Sequence, residues 1–170
     1  VYSLTIRQTG AEEIRTMMNR LLQAVDDISP AFPEMEATFR AIELQAFTSE
    51  GTSGESGAWA PLSPGYRAWK ERHFPGKTIL RRTDRLMGSL VRRGADSFIE
   101  SSPKRLAIGT TTPYAAFHQV PGLGARFRPP ISLTDRDAAK FQAILHRFFS
   151  RTIQQSLGQR VSVQRALVGA

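Results

Sequence analysis

Apolar residues recur along the first half of the chain with two different periods. In VYSLTIRQ, Tyr2, Leu4 and Ile6 alternate with Ser3, Thr5 and Arg7. That period of two places successive side chains on opposite faces of a short strand. From about residue 10 to 28 the spacing lengthens. Ile14, Met17, Met18, Leu21, Leu22, Val25 and Ile28 recur at intervals of three and four, the apolar stripe of an amphipathic helix. Glu12 and Glu13 stand near its start, where carboxylates suit the positive end of the helix dipole. Its methionines read as core filler. SPAFPE breaks the pattern, because the residue before a proline is pushed out of the α region. A second helix is predicted over 33–48, with Met35, Phe39, Ile42 and Ala46 on one face. The two make a helical pair, bent or antiparallel.

The next segment, 48–58, is TSEGTSGESGA. It holds no large apolar side chain to offset the entropy of ordering it, and reads as a mobile loop. WAPLSPGYRAWKERHFPGKTIL follows, dense in prolines and aromatics. Pro64 is placed to open a short helix capped by Ser63 and carrying Tyr66 and Trp69. In TDRLMGSLV, Thr83 is the predicted cap, with Leu86, Met87 and Leu90 turned inward. DSFIESS and KRLAIGTT alternate weakly on either side of a proline and predict an antiparallel hairpin. TPYAAFHQ fits either a strand or a short helix. The last helix is predicted over about 134–157. Thr134 and Asp137 form a capping box, Phe141, Ile144, Leu145, Phe148 and Thr152 keep the period, and Gly158 stands at the C-cap. The tail 158–170 reads as a strand or as an arm that pairs with another chain. The fold class is therefore α+β: an N-terminal strand and helical pair, a small antiparallel sheet and a long C-terminal helix, in one domain spanning 1–170.

Charge changes the picture more than composition does. The chain carries a net charge of +8, unevenly placed. Residues 1–65 hold four arginines against nine carboxylates, a net of −5, and residues 66–170 hold the remainder, a net of +13. Such a molecule can bind nucleic acid, acidic protein neighbours, or copies of itself, acidic part to basic part. ILRRTDRLMGSLVRRG concentrates Arg81, Arg82, Arg85, Arg92 and Arg93 into a basic stripe able to touch phosphates. No zinc finger, paired RNP aromatics or helix-turn-helix accompanies it, so backbone contact without sequence preference is the most it implies. There is no cysteine, which excludes disulfides and thiol chemistry. No apolar run exceeds four residues, which leaves no membrane span.

Catalytic and metal chemistry find little to stand on. His73, His118 and His146 lie at no metal-binding spacing from one another. His118 as a general base would need a nucleophile and an orienting acid, and no G-x-S-x-G elbow or similar local signal appears. It reads instead as a hydrogen-bonding ring beside Tyr114 and Phe117. GTTT and PGLGAR lack the spacing of phosphate loops.

Five short segments then fall into a recognisable order: WAPLSPGYRAWK, TILRRTDRLMGSL, LAIGTTTPYAAFHQ, a glycine-containing loop, and RFRPPISL. This order resembles the phage virion morphogenesis family, the tail-completion or neck proteins of Mu-like phages. The family pattern runs W-x-P-L-S, I-L-x-x-T-G-x-L-x-x-S-L, V-G-T, Y-A-x-x-H-Q, a Gly-rich stretch and A-R-P-F-L before a C-terminal helix. The match covers 59–157. Asp84 stands where the family usually has glycine, VPG where Phe-Gly is common, and Pro130 where phenylalanine is usual. The resemblance implies a structural virion component at the head–tail junction, with no enzymatic activity and no cofactor. It implies a homo-oligomeric ring, commonly sixfold, that meets neighbouring neck and tail proteins, touches genomic DNA transiently and is assembled in the bacterial host cytoplasm. On that reading Trp59, Tyr66, Trp69, Tyr114, His118, Arg126 and Arg128 are interface candidates, core packing being the other reading of the tryptophans. Arg81, Arg82, Arg85, Arg92 and Arg93 are candidates to face DNA in the lumen.

Overall fold

The computed structural model describes residues 11–123 and 126–168, with side chains along the last helix described as far as residue 155. The strand predicted at residues 1–8 lies outside them. Helix α1 (Ala11–Asp26) and helix α2 (Phe32–Thr48) occupy the predicted spans, joined by a 3-10 turn at Ser29–Ala31. Pro30 sits in the first turn of that connection, where its missing N–H costs nothing. The Asp27 carboxylate accepts the Ser29 backbone N–H at 2.9 Å. Helix α3 (Pro64–His73) and helix α4 (Arg85–Val91) follow. Strands β1 (Ser97–Ser102) and β2 (Arg105–Thr110) then pair antiparallel, from Ser97 opposite Thr110 to Ser102 opposite Arg105. The ambiguous TPYAAFHQ segment is helix α5 (Ala115–Gln119), and α6 runs Asp135–Val168.

Helix α2 is the hub. Its buried positions Phe39, Ile42, Ala46 and Phe47 follow the helical period and face α4 and α6. Leu86, Met87 and Leu90 meet them from α4, joined by Trp59, Ile79 and Ala115 in one cluster. Each such large side chain contributes roughly 1.5–3 kcal/mol by leaving water. Helix α1 lies chiefly along α6. The hairpin tip is fastened to the α1–α2 junction: Pro103 O accepts the Ile28 N–H at 2.8 Å, and Lys104 pairs with Asp26 at 2.6 Å. A hydroxyl chain from Ser89 through Thr110 (2.7 Å) to Thr112 (2.8 Å) ties α4 to the end of β2.

Four local expectations are corrected. Asp84, not Thr83, is the N-cap of α4, with left-handed backbone (φ 57, ψ 9). That is the conformation glycine adopts without penalty, which accounts for the family glycine here. An L-residue there bears roughly 1–2 kcal/mol of strain. Asp84 offsets it through its carboxylate, which takes Arg81 Nε at 2.9 Å and Lys77 Nζ. Those bonds, Arg81's first, hold its pKa down at about 2. Ser63 occupies the N-cap position of α3 with extended backbone but makes no side-chain cap bond. Gly158 does not end α6: the helix continues to Val168, so the tail to that point is neither strand nor extended arm. A glycine inside a helix costs only about 1 kcal/mol, and no proline follows to stop it. Finally, Met18 is not core filler; it is 48 % exposed.

The loop 49–58 is attached at defined points. Trp59 N–H bonds Glu50 O at 2.8 Å, Glu50 Oε1 accepts the Ile79 N–H at 2.7 Å, and Ser132 Oγ accepts the Ser56 N–H at 2.9 Å. Gly51 (φ +86) lies against the Trp59 indole so closely that a Cβ would stand 2.5 Å from the ring.

Candidate functional site

The family-like segments, far apart in sequence, meet at one cleft of about 690 Å3. Each contributes to its lining: Leu62 from APLSP, Leu80 from TIL, Tyr114 and His118 from YAAFHQ, and Arg128 from RFRPP. Helix α3 adds Tyr66 and Lys70, and the approach to α4 adds Arg82, Thr83 and Arg85. None of the lining residues is acidic.

The cleft is built by side chains that grip backbone. Arg128 donates through Nε to Ala60 O at 2.6 Å and through Nη2 to Pro61 O at 3.1 Å. Gln119 takes the Ile131 backbone at both ends, donating to its carbonyl at 2.8 Å and accepting its N–H at 3.1 Å. Arg128 N–H bonds His118 O at 3.1 Å, and Trp59 Nε1 donates to Pro129 O at 3.0 Å. The loop between α5 and residue 128 is thus closed at both ends. Gln119 and Lys70 were not singled out from sequence. Gln119 had a visible signal as the last letter of Y-A-x-x-H-Q; Lys70, in a run of charged residues on α3, had none.

Two cations of the cleft are buried, Lys70 at 4 % exposure and Arg128 at 9 %. Lys70 Nζ donates to Thr78 O. Neither cation has a carboxylate within ion-pair distance among the described residues, and burial pulls both pKa values down. His118 is half-buried. Burial first, and the Arg128 charge after it, lower its pKa against an opposing bond to the Arg126 backbone. Its Nδ1 is buried with no hydrogen-bond partner among the described residues. Among the described residues no side-chain hydroxyl or carboxylate is hydrogen-bonded to Nδ1 of His118, and no group of three or more potential metal ligands occurs.

The interface candidates divide. Trp59 is a core residue, 5 % exposed and edge-on to Phe47 at 5.3 Å between centroids. Tyr66 and Trp69 are exposed on α3, stacked at 5.4 Å, and Trp69 stacks on His73 at 4.8 Å. Tyr114 is exposed at the cleft mouth, beside the half-buried His118, and Arg126 is exposed with one long bond to Pro61 O.

The basic stripe divides as well. Arg81 pairs with Asp84, Arg85 forks onto Asp96 at 2.7 and 2.8 Å, and Arg93 pairs with Glu36. Glu36 also accepts Arg40 Nε at 2.8 Å, and these bonds, that of Arg93 foremost, hold its pKa at about 2. Arg82 and Arg92 are exposed and carry no ion pair among the described residues.

Comparison with known proteins agrees with the motif order. The model of the phage virion morphogenesis family matches residues 10–143, reaching further towards the N-terminus than the motifs themselves. The chain is 27 % identical over 158 residues to Mu-like prophage FluMu G protein 2 of Haemophilus influenzae, covering 89 % of this chain and 99 % of that protein. No solved structure matches it. The chain belongs to the phage virion morphogenesis family, and its role lies in the building of a phage particle.

Proposed function

We propose that this protein is a structural component of the head–tail junction, working as a closed homo-oligomeric ring, a hexamer, that joins tail to head and lets DNA pass. The observation that carries the reading is an apolar stripe on α1 that no described residue covers. Ile14, Met18, Leu22 and Val25 fall one helical turn apart and are all 48–57 % exposed. The more sheltered face of the helix is Met17, Leu21 and Ala24. A contiguous apolar stripe of this kind is unusual on a monomer and marks a contact surface. The exposed Tyr66–Trp69–His73 stack on α3 offers a second one, built of residue types that dominate interface energies.

A ring closes when each copy presents two different surfaces, and a stable contact buries roughly 1,000 Å2 or more. Neighbouring neck and tail proteins would occupy the outer faces. Arg92 is the arginine of the stripe best placed for passing DNA, since Arg81, Arg85 and Arg93 are held by carboxylates and Arg82 lines the cleft. Light contact suits a lumen, because tight phosphate binding would stall ejection. That pairing also counts against a free nucleic-acid-binding protein, which would keep its arginines available.

The test is the mass and shape of the full-length chain in solution, by light scattering and negative-stain microscopy. Rings are expected, and Leu22→Asp should disperse them with the thermal melt of the protomer unchanged. A wild-type chain that stays monomeric, or a variant that assembles normally, would overturn the reading. Trp59→Ala is the wrong probe, because it would empty the core.

A further inference from the structure

The cleft holds two buried cations, Lys70 and Arg128, with no carboxylate at ion-pair distance among the described residues; Glu50 and Asp84 act on Lys70 only from further off. Both cations donate to backbone carbonyls, Lys70 to Thr78 O and Arg128 to Ala60 O and Pro61 O. Carbonyl oxygens satisfy hydrogen bonds but do not neutralise a charge, and an unpaired buried charge is costly. His118 Nδ1 adds a buried ring nitrogen with no partner among the described residues. Arg82 at the same cleft is unpaired, and Tyr66 and Tyr114 supply aromatic walls. This set of groups asks for an anion carried on a partly apolar scaffold.

A carboxylate on a peptide meets that description better than a phosphate of duplex DNA. An Asp or Glu side chain can reach into a cleft to a buried lysine, and its flanking backbone can lie on tyrosines. Duplex phosphates stand on the outside of a wide cylinder and would reach the exposed Arg82 only. The chain itself carries the complementary charge, with residues 1–65 at a net of −5. Within them Asp27 and Glu55 are exposed and have no ion pair among the described residues.

We propose that this cleft receives an acidic segment from the first 65 residues of a second copy of the chain, which inserts a carboxylate towards Lys70 and Arg128. The inference rests on self-assembly of the chain and names the surfaces that meet. It makes the unpaired cations of one copy the counter-ions of the next.

The experiment places a photo-crosslinking p-benzoyl-phenylalanine at Tyr66 in the full-length chain, in a mixture of 14N- and 15N-labelled protein, with and without duplex DNA. Irradiation should join two copies, and the mixed-isotope peptides should map within residues 1–65. Arg82→Glu, which alters an exposed residue, should weaken self-association at least tenfold in sedimentation equilibrium. Crosslinks confined to residues 66–170, to DNA, or to the same copy would overturn the proposal, as would an Arg82→Glu variant that associates like wild type. Rings that form without a cleft crosslink remove this inference and leave the ring standing. Crosslinked pairs that never close into rings do the reverse, and a monomer without crosslinks removes both.

Discussion

Glu43 is a carboxyl group with nowhere to put its charge. It is 0 % exposed, and neither oxygen has a hydrogen-bond partner. Burial first, then the nearby Asp137, push its pKa from 4.5 up to about 8. A folded-state value above the unfolded one means that its contribution is fully present below about pH 4.5. It is lost as pH rises from there to about 8, at about 1.4 kcal/mol per pH unit. Glu36 and Asp84, both held at about 2, act the other way and in a different window, losing their contribution only as pH falls from about 4 towards 2. Glu43→Met should therefore stabilise the protein, and by a few kcal/mol more at pH 8 than at pH 5; urea melts of both proteins at the two values measure it. Equal gains at both would show that Glu43 is ionised in the fold. This residue was legible in part. It falls on the same face of α2 as Phe39, Ala46 and Phe47, so the helical period alone assigns it to the core. That nothing among the described residues answers it there is a fact of packing, since the charge nearest in effect, Asp137, comes from α6.

At the scale of elements, local chemistry carried most of the information. Thr134 and Asp137 cap α6 reciprocally: Asp137 Oδ2 accepts the Thr134 N–H at 3.1 Å and Thr134 Oγ1 accepts the Asp137 N–H at 3.2 Å. Thr134→Ala should cost about 1 kcal/mol, the usual worth of such a cap, read as a lower urea midpoint with an unchanged slope. The hairpin, α1 and α2 stand where their periods placed them, and α3 where Pro64 opened it, because these signals depend on neighbours within a few residues. Errors fell at helix ends. Gly158 and Thr83 each carry a genuine capping preference, yet the context of each decides otherwise. No proline follows Gly158 to stop the helix, which runs on to Val168, and two basic groups hold Asp84 in a left-handed turn one residue past the expected cap. TPYAAFHQ was undecidable from period alone, being too short to show one.

For the whole molecule the uneven charge is the property most open to test. If the acidic part of one copy meets the basic part of the next, association must weaken as salt screens it. The screening length falls from about 10 Å at 0.1 M to about 3 Å at 1 M. Sedimentation at those two salt concentrations should show a loss of self-association of tenfold or more. Assembly that strengthens with salt would point to the α1 stripe alone, because apolar contact does not weaken that way.

The chain order of residues determined most of the helices and the hairpin, the N-terminal capping of α6, the −5 and +13 halves and the family to which the chain belongs. Each is a property of near neighbours or a sum over positions, and needs no knowledge of what lies across the fold. Tertiary structure alone decided that Trp59 is core while Tyr66 and Trp69 are surface, that Ile14, Met18, Leu22 and Val25 are exposed, and that Arg85 and Arg93 are engaged while Arg82 has no ion pair among the described residues. It also gathered Leu62, Lys70, His118 and Arg128 around one cleft. Burial and pairing belong to contacts between segments tens of residues apart, and an amphipathic period states only that a face is apolar, not whether anything covers it.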